Sequence, residues 1–146
     1  MTDGTKRYFT AEEVERLIPR LQKLMGRVRA AHRDAARVRQ ELGEAQRAVT
    51  FVGGARLRHE EWRLRKARLE QATREIRERL AQVLATGGVP KDLDLGLVDF
   101  PALLGEREVS LCWRYGERRI RFWHGLDEGY AARKPLPGDL RTHEEA

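Results

Sequence analysis

Apolar residues recur every seven positions between residues 14 and 45, in two series. The series are Val14, Leu21, Val28, Ala35 and Leu42, and Leu17, Leu24, Ala31, Val38 and Ala45. This heptad pattern is typical of a long helix that packs along one side against another helix, as in a coiled coil. Thr10 and Glu13 have the spacing of a capping box, which predicts where the helix begins. The pattern continues beyond Pro19, so we expect a kink there rather than a helix end.

A second long helix follows a predicted turn at Gly53 and Gly54. Its apolar series is Trp62, Leu69, Ile76 and Val83. A short link between two such helices favours an antiparallel hairpin. Other apolar residues lie outside these series, among them Ile18, Met25, Leu57 and Leu64. They predict a homodimer in which two hairpins form a four-helix bundle, and the alternative is that the C-terminal region of the same chain covers them.

The composition changes after Gly87, Gly88 and Pro90, which predict the end of the second helix. Short apolar runs at 97–100, 108–114 and 119–124 predict three strands. The expected fold class is α+β, mostly α: a long antiparallel two-helix coiled-coil hairpin followed by a small three-stranded antiparallel sheet. We expect a single domain over 1–146, with the hairpin at 9–86, the β-rich region at 87–136 and a flexible tail at 137–146.

The last two predicted strands are expected to form a β-hairpin with a two-residue loop at Gly116. In that register odd positions pair with even positions, so Cys112 and His124 point to opposite faces. A joint metal site or a Cys-His catalytic pair is then excluded, unless the loop has an odd length or a strand contains a bulge. The same register places a basic face beside Trp123, which is a candidate surface for RNA or DNA. Its arginines are Arg114, Arg119 and Arg121.

A polar cluster near the end of the last strand is the candidate small-ligand or metal site. His124 and Asp127 are three residues apart, and Asp99 lies on the neighbouring predicted strand. Imidazole and carboxylate groups together bind first-row divalent metals. Trp123 and Arg133 are close in sequence and complete the candidate ligand-binding set. The alternative is that His124 is a structural residue, because buried polar groups need hydrogen-bond partners.

Several motifs resemble one known family. They are YFTAEE at 8–13, GLVDFP at 96–101, LCWR at 111–114, GE at 116–117, WH at 123–124 and GYAARKPL at 129–136. Over nearly its whole length the chain resembles the uncharacterised prokaryotic family named domain of unknown function 2203. The resemblance implies that Asp99, Trp123, His124 and Arg133 lie within a shared signature, and it implies no activity. Ala132 stands where the family pattern leads us to expect a glycine.

Charge and cysteine content set limits on the function. The chain of 146 residues has 29 Lys and Arg against 23 Asp and Glu, and this net charge of +6 permits nucleic-acid binding without requiring it. A single cysteine, Cys112, excludes an intrachain disulfide, and no long uncharged run predicts a membrane span; both favour the cytoplasm. Because no catalytic motif is present, we expect a non-catalytic oligomeric interaction module rather than an enzyme. The alternatives are a protein that binds a small ligand or divalent metal, and a nucleic-acid-binding protein.

Overall fold

The computed structural model of the chain describes residues 6–52 and 56–137. Two helices, α1 (Ala11–Val52) and α2 (Arg56–Ala85), precede five strands and a short 3₁₀ turn at Tyr130–Ala132. The strands are β1 (Val89–Asp92), β2 (Leu97–Leu104), β3 (Arg107–Arg114), β4 (Phe122–Gly125) and β5 (Lys134–Pro135). The predicted turn at Gly53 and Gly54 and nearly all of the predicted tail lie outside the described residues. No helix within the described ranges is long and apolar enough to cross a membrane.

Helix α1 begins at the predicted capping box. The backbone N–H of Thr10 donates to Glu13 Oε1 at 2.9 Å, and the backbone N–H of Glu13 donates to Thr10 Oγ1 at 3.1 Å. These two bonds satisfy N–H groups that have no partner within the helix. The helix continues through Pro19 as predicted, since the residues on both sides pack into one core.

The two helices run antiparallel, as the ion pairs between them show. Arg27 pairs with Glu75, Asp34 with Arg68 and Glu41 with Arg65, so positions that rise along α1 meet positions that fall along α2. The helices approach closely where small side chains meet, at Ala31, Ala35 and Ala72. The hairpin predicted from the heptad pattern is therefore confirmed.

The five strands form one antiparallel sheet in the order β1-β2-β3-β4-β5. The three predicted strands correspond to β2, β3 and β4, while β1 and β5 are short edge strands without a sequence signal of their own. Strand β2 continues through Pro101, which the prediction had placed after its end. Strand β4 is shorter than the predicted 119–124, because Arg119 and Arg121 lie in the connection before it.

The main core lies between α1 and one face of the sheet. That face presents Val98, Phe100, Val109, Leu111 and Trp113, all fully buried. Two of the apolar residues outside the heptad series, Ile18 and Met25, are buried in this same core. The C-terminal region of the same chain therefore covers them, which was the alternative to a bundle of two hairpins. Leu64 stays 64% exposed, and the side chain of Leu57 lies outside the described residues.

The predicted register of β3 and β4 is wrong. Ser110 pairs with His124 and Cys112 pairs with Phe122, so even positions meet even positions. The connection is not a two-residue loop but the seven residues 115–121, an odd number. This change moves Trp123 to the core face and His124 to the opposite face, where Cys112 lies.

Candidate metal centre

Three different potential metal ligands meet on the sheet face that points away from α1. Asp99 on β2 lies directly opposite Cys112 on β3, and His124 on β4 lies opposite Ser110, two residues from Cys112. One ligand atom from each of the three side chains lies within 4.8 Å of the other two. Asp99, Cys112 and His124 are 5%, 1% and 3% exposed. Three adjacent strands thus bring together a carboxylate, a thiol and an imidazole that are far apart in sequence.

The orientation of the imidazole follows from its hydrogen bonds. Nδ1 of His124 lies 2.8 Å from the carbonyl oxygen of Gly125. A carbonyl only accepts, so Nδ1 carries a hydrogen, and Nε2 of the neutral ring presents a lone pair. Nε2 lies 2.9 Å from Asp99 Oδ2, which is also an acceptor when the carboxyl group is ionised. A proton or a metal cation between these two atoms is required to make the contact favourable.

The second oxygen of Asp99 has no strong hydrogen-bond donor beside it among the described residues. Oδ1 is buried, and the group that interacts with the carboxylate on this side of the cluster is the Cys112 thiol, a weak donor. Burial raises the pKa of Asp99 above its ordinary value of 3.8, and the neighbouring His124 opposes part of that shift. A buried oxygen that lacks a strong donor costs free energy, about 1 to 3 kcal/mol, unless an ion or a water molecule contacts it.

The thiol of Cys112 is held in its neutral form. Burial, and then the charge of Asp99, raise the pKa of Cys112 from 9.0 to about 12. Without a cation this cysteine is therefore a poor nucleophile at neutral pH, because the thiolate is the reactive species. A bound metal ion reverses this preference, since a coordinating thiol loses its proton.

A small cavity lies directly beside the three ligands. Its volume is about 110 Å³. Its walls include all three ligand side chains together with Lys91, Leu97, Ser110, Leu126, Glu128, Gly129 and Tyr130. The segment after β4 forms one wall of this cavity. The three side chains are therefore buried but lie next to a space that a ligand can occupy.

The structure places the other predicted site residues differently. Asp127 is exposed and lies outside the cluster of Asp99, Cys112 and His124. Trp123 faces the core, not the cavity. Arg133 pairs with Glu117 and stacks on Phe122, and it contacts the cluster only through the carbonyl oxygen of Cys112 at 3.4 Å.

The predicted basic face is not formed by two strands. Arg114 ends β3 and donates to the hydroxyl of Tyr130 at 2.8 Å. Arg119 and Arg121 are exposed in the connection 115–121, on either side of the buried Ile120. Trp123 lies on the other face of the sheet, so the arrangement of three arginines beside an exposed aromatic ring is wrong.

Cys112 was missed as a ligand because the assumed loop length was even. Glu117 fixes the odd connection: its Oε1 accepts from the backbone N–H of Arg114 at 2.7 Å, and its carbonyl accepts from Trp113 Nε1 at 3.0 Å. The sequence alone allowed both lengths. In strands without a bulge, Cys112 and His124 converge only if the connection has an odd length, and the connection in the structure has one.

A comparison with protein families identifies the chain. A family model described as an uncharacterized conserved protein matches residues 7–136, which is most of the sequence. The chain belongs to the DUF2203 family. No curated protein and no solved structure matches it. All three ligands of the cluster lie inside the DUF2203 match, and Ala132, where a glycine was expected, has no positive φ and needs no glycine.

The donor set of this DUF2203 protein suits a transition metal. Thiolate and imidazole ligands favour zinc, iron or cobalt, whereas magnesium and calcium prefer oxygen ligands alone. The Gly125 carbonyl holds the His124 ring with Nε2 towards the cluster, which is the usual support for a metal-binding histidine. Three protein ligands beside a cavity resemble the open type of zinc site, in which a fourth position stays free for a water molecule or a ligand.

Proposed function

We propose that this protein binds a divalent transition metal, with Zn²⁺ as the preferred ion, through Asp99, Cys112 and His124. The observation that carries the proposal is the meeting of His124 Nε2, the Asp99 carboxylate and the buried Cys112 thiol, with one ligand atom from each residue within 4.8 Å of the other two. A single dication satisfies all of these groups at once. In the metal-free protein, one proton shared between His124 Nε2 and Asp99 Oδ2 makes their contact favourable.

The charges of the ligands support a dication. The ionised carboxylate of Asp99 and the ionised thiolate of Cys112 supply two negative charges. These two charges balance Zn²⁺ inside a buried site. A buried pair of anions without a cation is costly, which is why the metal-free protein keeps the Cys112 thiol protonated. Metal binding therefore releases protons, and the affinity should fall as the pH is lowered.

Cobalt substitution tests the proposal directly. Co²⁺ bound to a thiolate gives a charge-transfer absorption that water-coordinated Co²⁺ lacks, so titration of the metal-free protein should produce this band with a 1:1 end point. Excess Zn²⁺ should remove the band and raise the unfolding temperature. At a free Zn²⁺ concentration of 100 times the dissociation constant, the native state gains about 2.7 kcal/mol.

Two variants and a control assign the site. Cys112→Ser should abolish the charge-transfer band, and His124→Ala should weaken Co²⁺ binding at least tenfold. The matched control is His32→Gln, because His32 Nε2 also contacts an aspartate, Asp94 at 3.3 Å, but at the protein surface. If the wild type shows no thiolate band, or if His32→Gln has the same effect as His124→Ala, the proposal is wrong.

We also propose, as a second function, that the protein acts as a homodimeric interaction module in the cytoplasm. Leu64 and Leu84 on α2 are 64% and 55% exposed and support two separate contact points for a second copy of the chain. The reduced, buried Cys112 supports a reducing compartment. Nucleic-acid binding stays a prediction, and the structure does not contain the strand face on which it was based.

A further inference from the structure

We infer that the cavity beside Asp99, Cys112 and His124 takes a small oxyanion with one negative charge, of the carboxylate class, which binds the metal and Lys91 together. This inference rests on the proposed metal site and names the ligand of its free position. Three observations carry it: the placement of Lys91, the hydrogen-bond donors of the cavity wall and the charge of the occupied site.

Lys91 is placed at the cavity by an irregularity in β1. Val89 pairs with Asp99, Pro90 pairs with Val98, and Asp92 pairs with Leu97, so the register shifts across Lys91. An extra residue of this kind redirects a side chain, and such bulges are common beside binding sites. Lys91 lines the cavity, and its charge lowers the pKa of Asp99. Its side chain is exposed and has no ion-pair partner in the described parts of the chain.

The cavity wall offers donors that lack acceptors. Ser110 lines the cavity, and within residues 6–52 and 56–137 its hydroxyl makes no hydrogen bond. The hydroxyl of Tyr130 accepts from Arg114 Nη1, which leaves its own hydrogen free to donate. The carboxylate in the wall, Glu128, is already used, since its Oε1 accepts from the Gly125 N–H and from Lys134 Nζ, each at 2.7 Å. A ligand rich in acceptor oxygens fits this wall.

The charge of the occupied site selects an anion with a single charge. A dication balances the Asp99 carboxylate and the Cys112 thiolate, so the ammonium group of Lys91 leaves one positive charge. A monoanion neutralises this charge, whereas a neutral ligand leaves it and a dianion reverses it. The cavity volume of about 110 Å³ suits a small ligand of a few non-hydrogen atoms.

Acetate binding to the Co²⁺-loaded protein tests the inference. An anion that enters the free position changes the visible spectrum of Co²⁺, so acetate should produce a saturable spectral change. Acetamide, which has the same shape without the charge, should produce none at equal concentration. Dissociation constants for acetate are determined at saturating Co²⁺, so that differences in metal affinity do not enter.

Lys91→Met should weaken acetate binding at least tenfold, and Lys91→Arg should recover most of the loss because it restores the charge. Lys23→Met, at an exposed lysine on α1, is the matched control and should bind acetate like the wild type. If the thiolate band is present but acetate does not change the visible spectrum of the bound Co²⁺, this inference alone is overturned, and equal acetate binding by Lys91→Met and the wild type overturns it as well. Absence of the thiolate band overturns the proposed metal site and this inference together.

Discussion

At the scale of single residues, the Asp99–His124 pair gives a prediction that separates metal binding from simple structural pairing. In Asp99→Asn an amide N–H can donate to His124 Nε2, so the hydrogen bond of the metal-free protein is kept. In Asp99→Leu the buried Nε2 has no partner, which costs about 1 to 3 kcal/mol. We measure the free energy of unfolding by urea denaturation with a chelator present. Asp99→Asn should be as stable as the wild type or more stable, and Asp99→Leu should be less stable.

Both substitutions should also remove the stabilisation by Zn²⁺, because each removes a ligand. The comparison with and without Zn²⁺ is therefore informative even if Asp99→Leu folds poorly. Asp99→Asn protein that Zn²⁺ stabilises as strongly as the wild type would show that the carboxylate does not bind the ion.

The second prediction at this scale concerns Cys112 at alkaline pH. Its pKa is raised from 9.0 to about 12, so between these values the unfolded chain has lost the thiol proton while the folded chain retains it. The stability that depends on the neutral thiol is therefore fully present below about pH 9 and is lost as the pH rises towards 12. The loss is at most about 1.4 kcal/mol per pH unit.

Chemical denaturation of metal-free protein between pH 8.5 and 10.5 checks this effect. Cys112→Ala lacks the titrating thiol, so its stability should fall less steeply with pH than that of the wild type, whatever its starting stability. Parallel pH profiles for the two proteins would mean that the thiol is not held neutral by the fold.

At the scale of structural elements, the connection 115–121 determines which residues share a face. Glu117 holds this connection, because its Oε2 pairs with Arg133 Nη2 at 2.6 Å while its Oε1 binds the backbone of Arg114. Glu117→Ala leaves a guanidinium group that is 10% exposed without its partner, and we expect a loss of about 2 to 4 kcal/mol.

Glu117→Gln keeps the hydrogen bond to the Arg114 backbone but loses the negative charge that pairs with Arg133. Because charge-assisted hydrogen bonds are roughly twice as strong as neutral ones, its free energy of unfolding should fall roughly half as much as that of Glu117→Ala. Glu106→Ala, at an exposed residue in the β2–β3 turn, is the control and should stay within about 0.5 kcal/mol of the wild type. Urea denaturation measures all three. Co²⁺ affinity should fall with Glu117→Ala, and unchanged affinity would mean that other contacts set the register.

At the scale of the whole molecule, the expected homodimer stays a prediction. The structure has removed one reason for it, since the sheet of the same chain covers Ile18 and Met25. The remaining reason is the exposed apolar surface at Leu64 and Leu84. Sedimentation at micromolar concentration should give a dimer of the 16.9 kDa chain, and Leu64→Lys with Leu84→Lys should shift it to the monomer.

Gln40→Lys, at an exposed position on α1, controls for the added charge and should remain dimeric. A wild type that sediments as a monomer contradicts the prediction. Because the ligands of the proposed metal centre all lie in one chain, the metal experiments do not depend on this result.

The helical hairpin, its first residue and the positions of the three main strands could be predicted from the sequence. These features depend on interactions within a few residues or on a repeating apolar pattern: the capping box at Thr10 and Glu13, the heptads along α1 and the apolar runs of β2 and β3. The resemblance to the DUF2203 family was also correct, because it rests on short local motifs. Asp99 and His124, which were named together from the sequence, lie 2.9 Å apart between Oδ2 and Nε2.

The three-dimensional packing was needed to show that Cys112, rather than Asp127, lies beside Asp99 and His124. The face to which a strand residue points changes with each residue added to a connection, so one uncertain loop length leaves every pairing of side chains open. Here Glu117 holds one part of the connection through Arg114 and Arg133. At the other end the Ile120 N–H donates to Glu15 on α1, and Ile120 is fully buried in the core. A contact with a helix about a hundred residues earlier therefore helps to set the parity that brings the thiol to the imidazole.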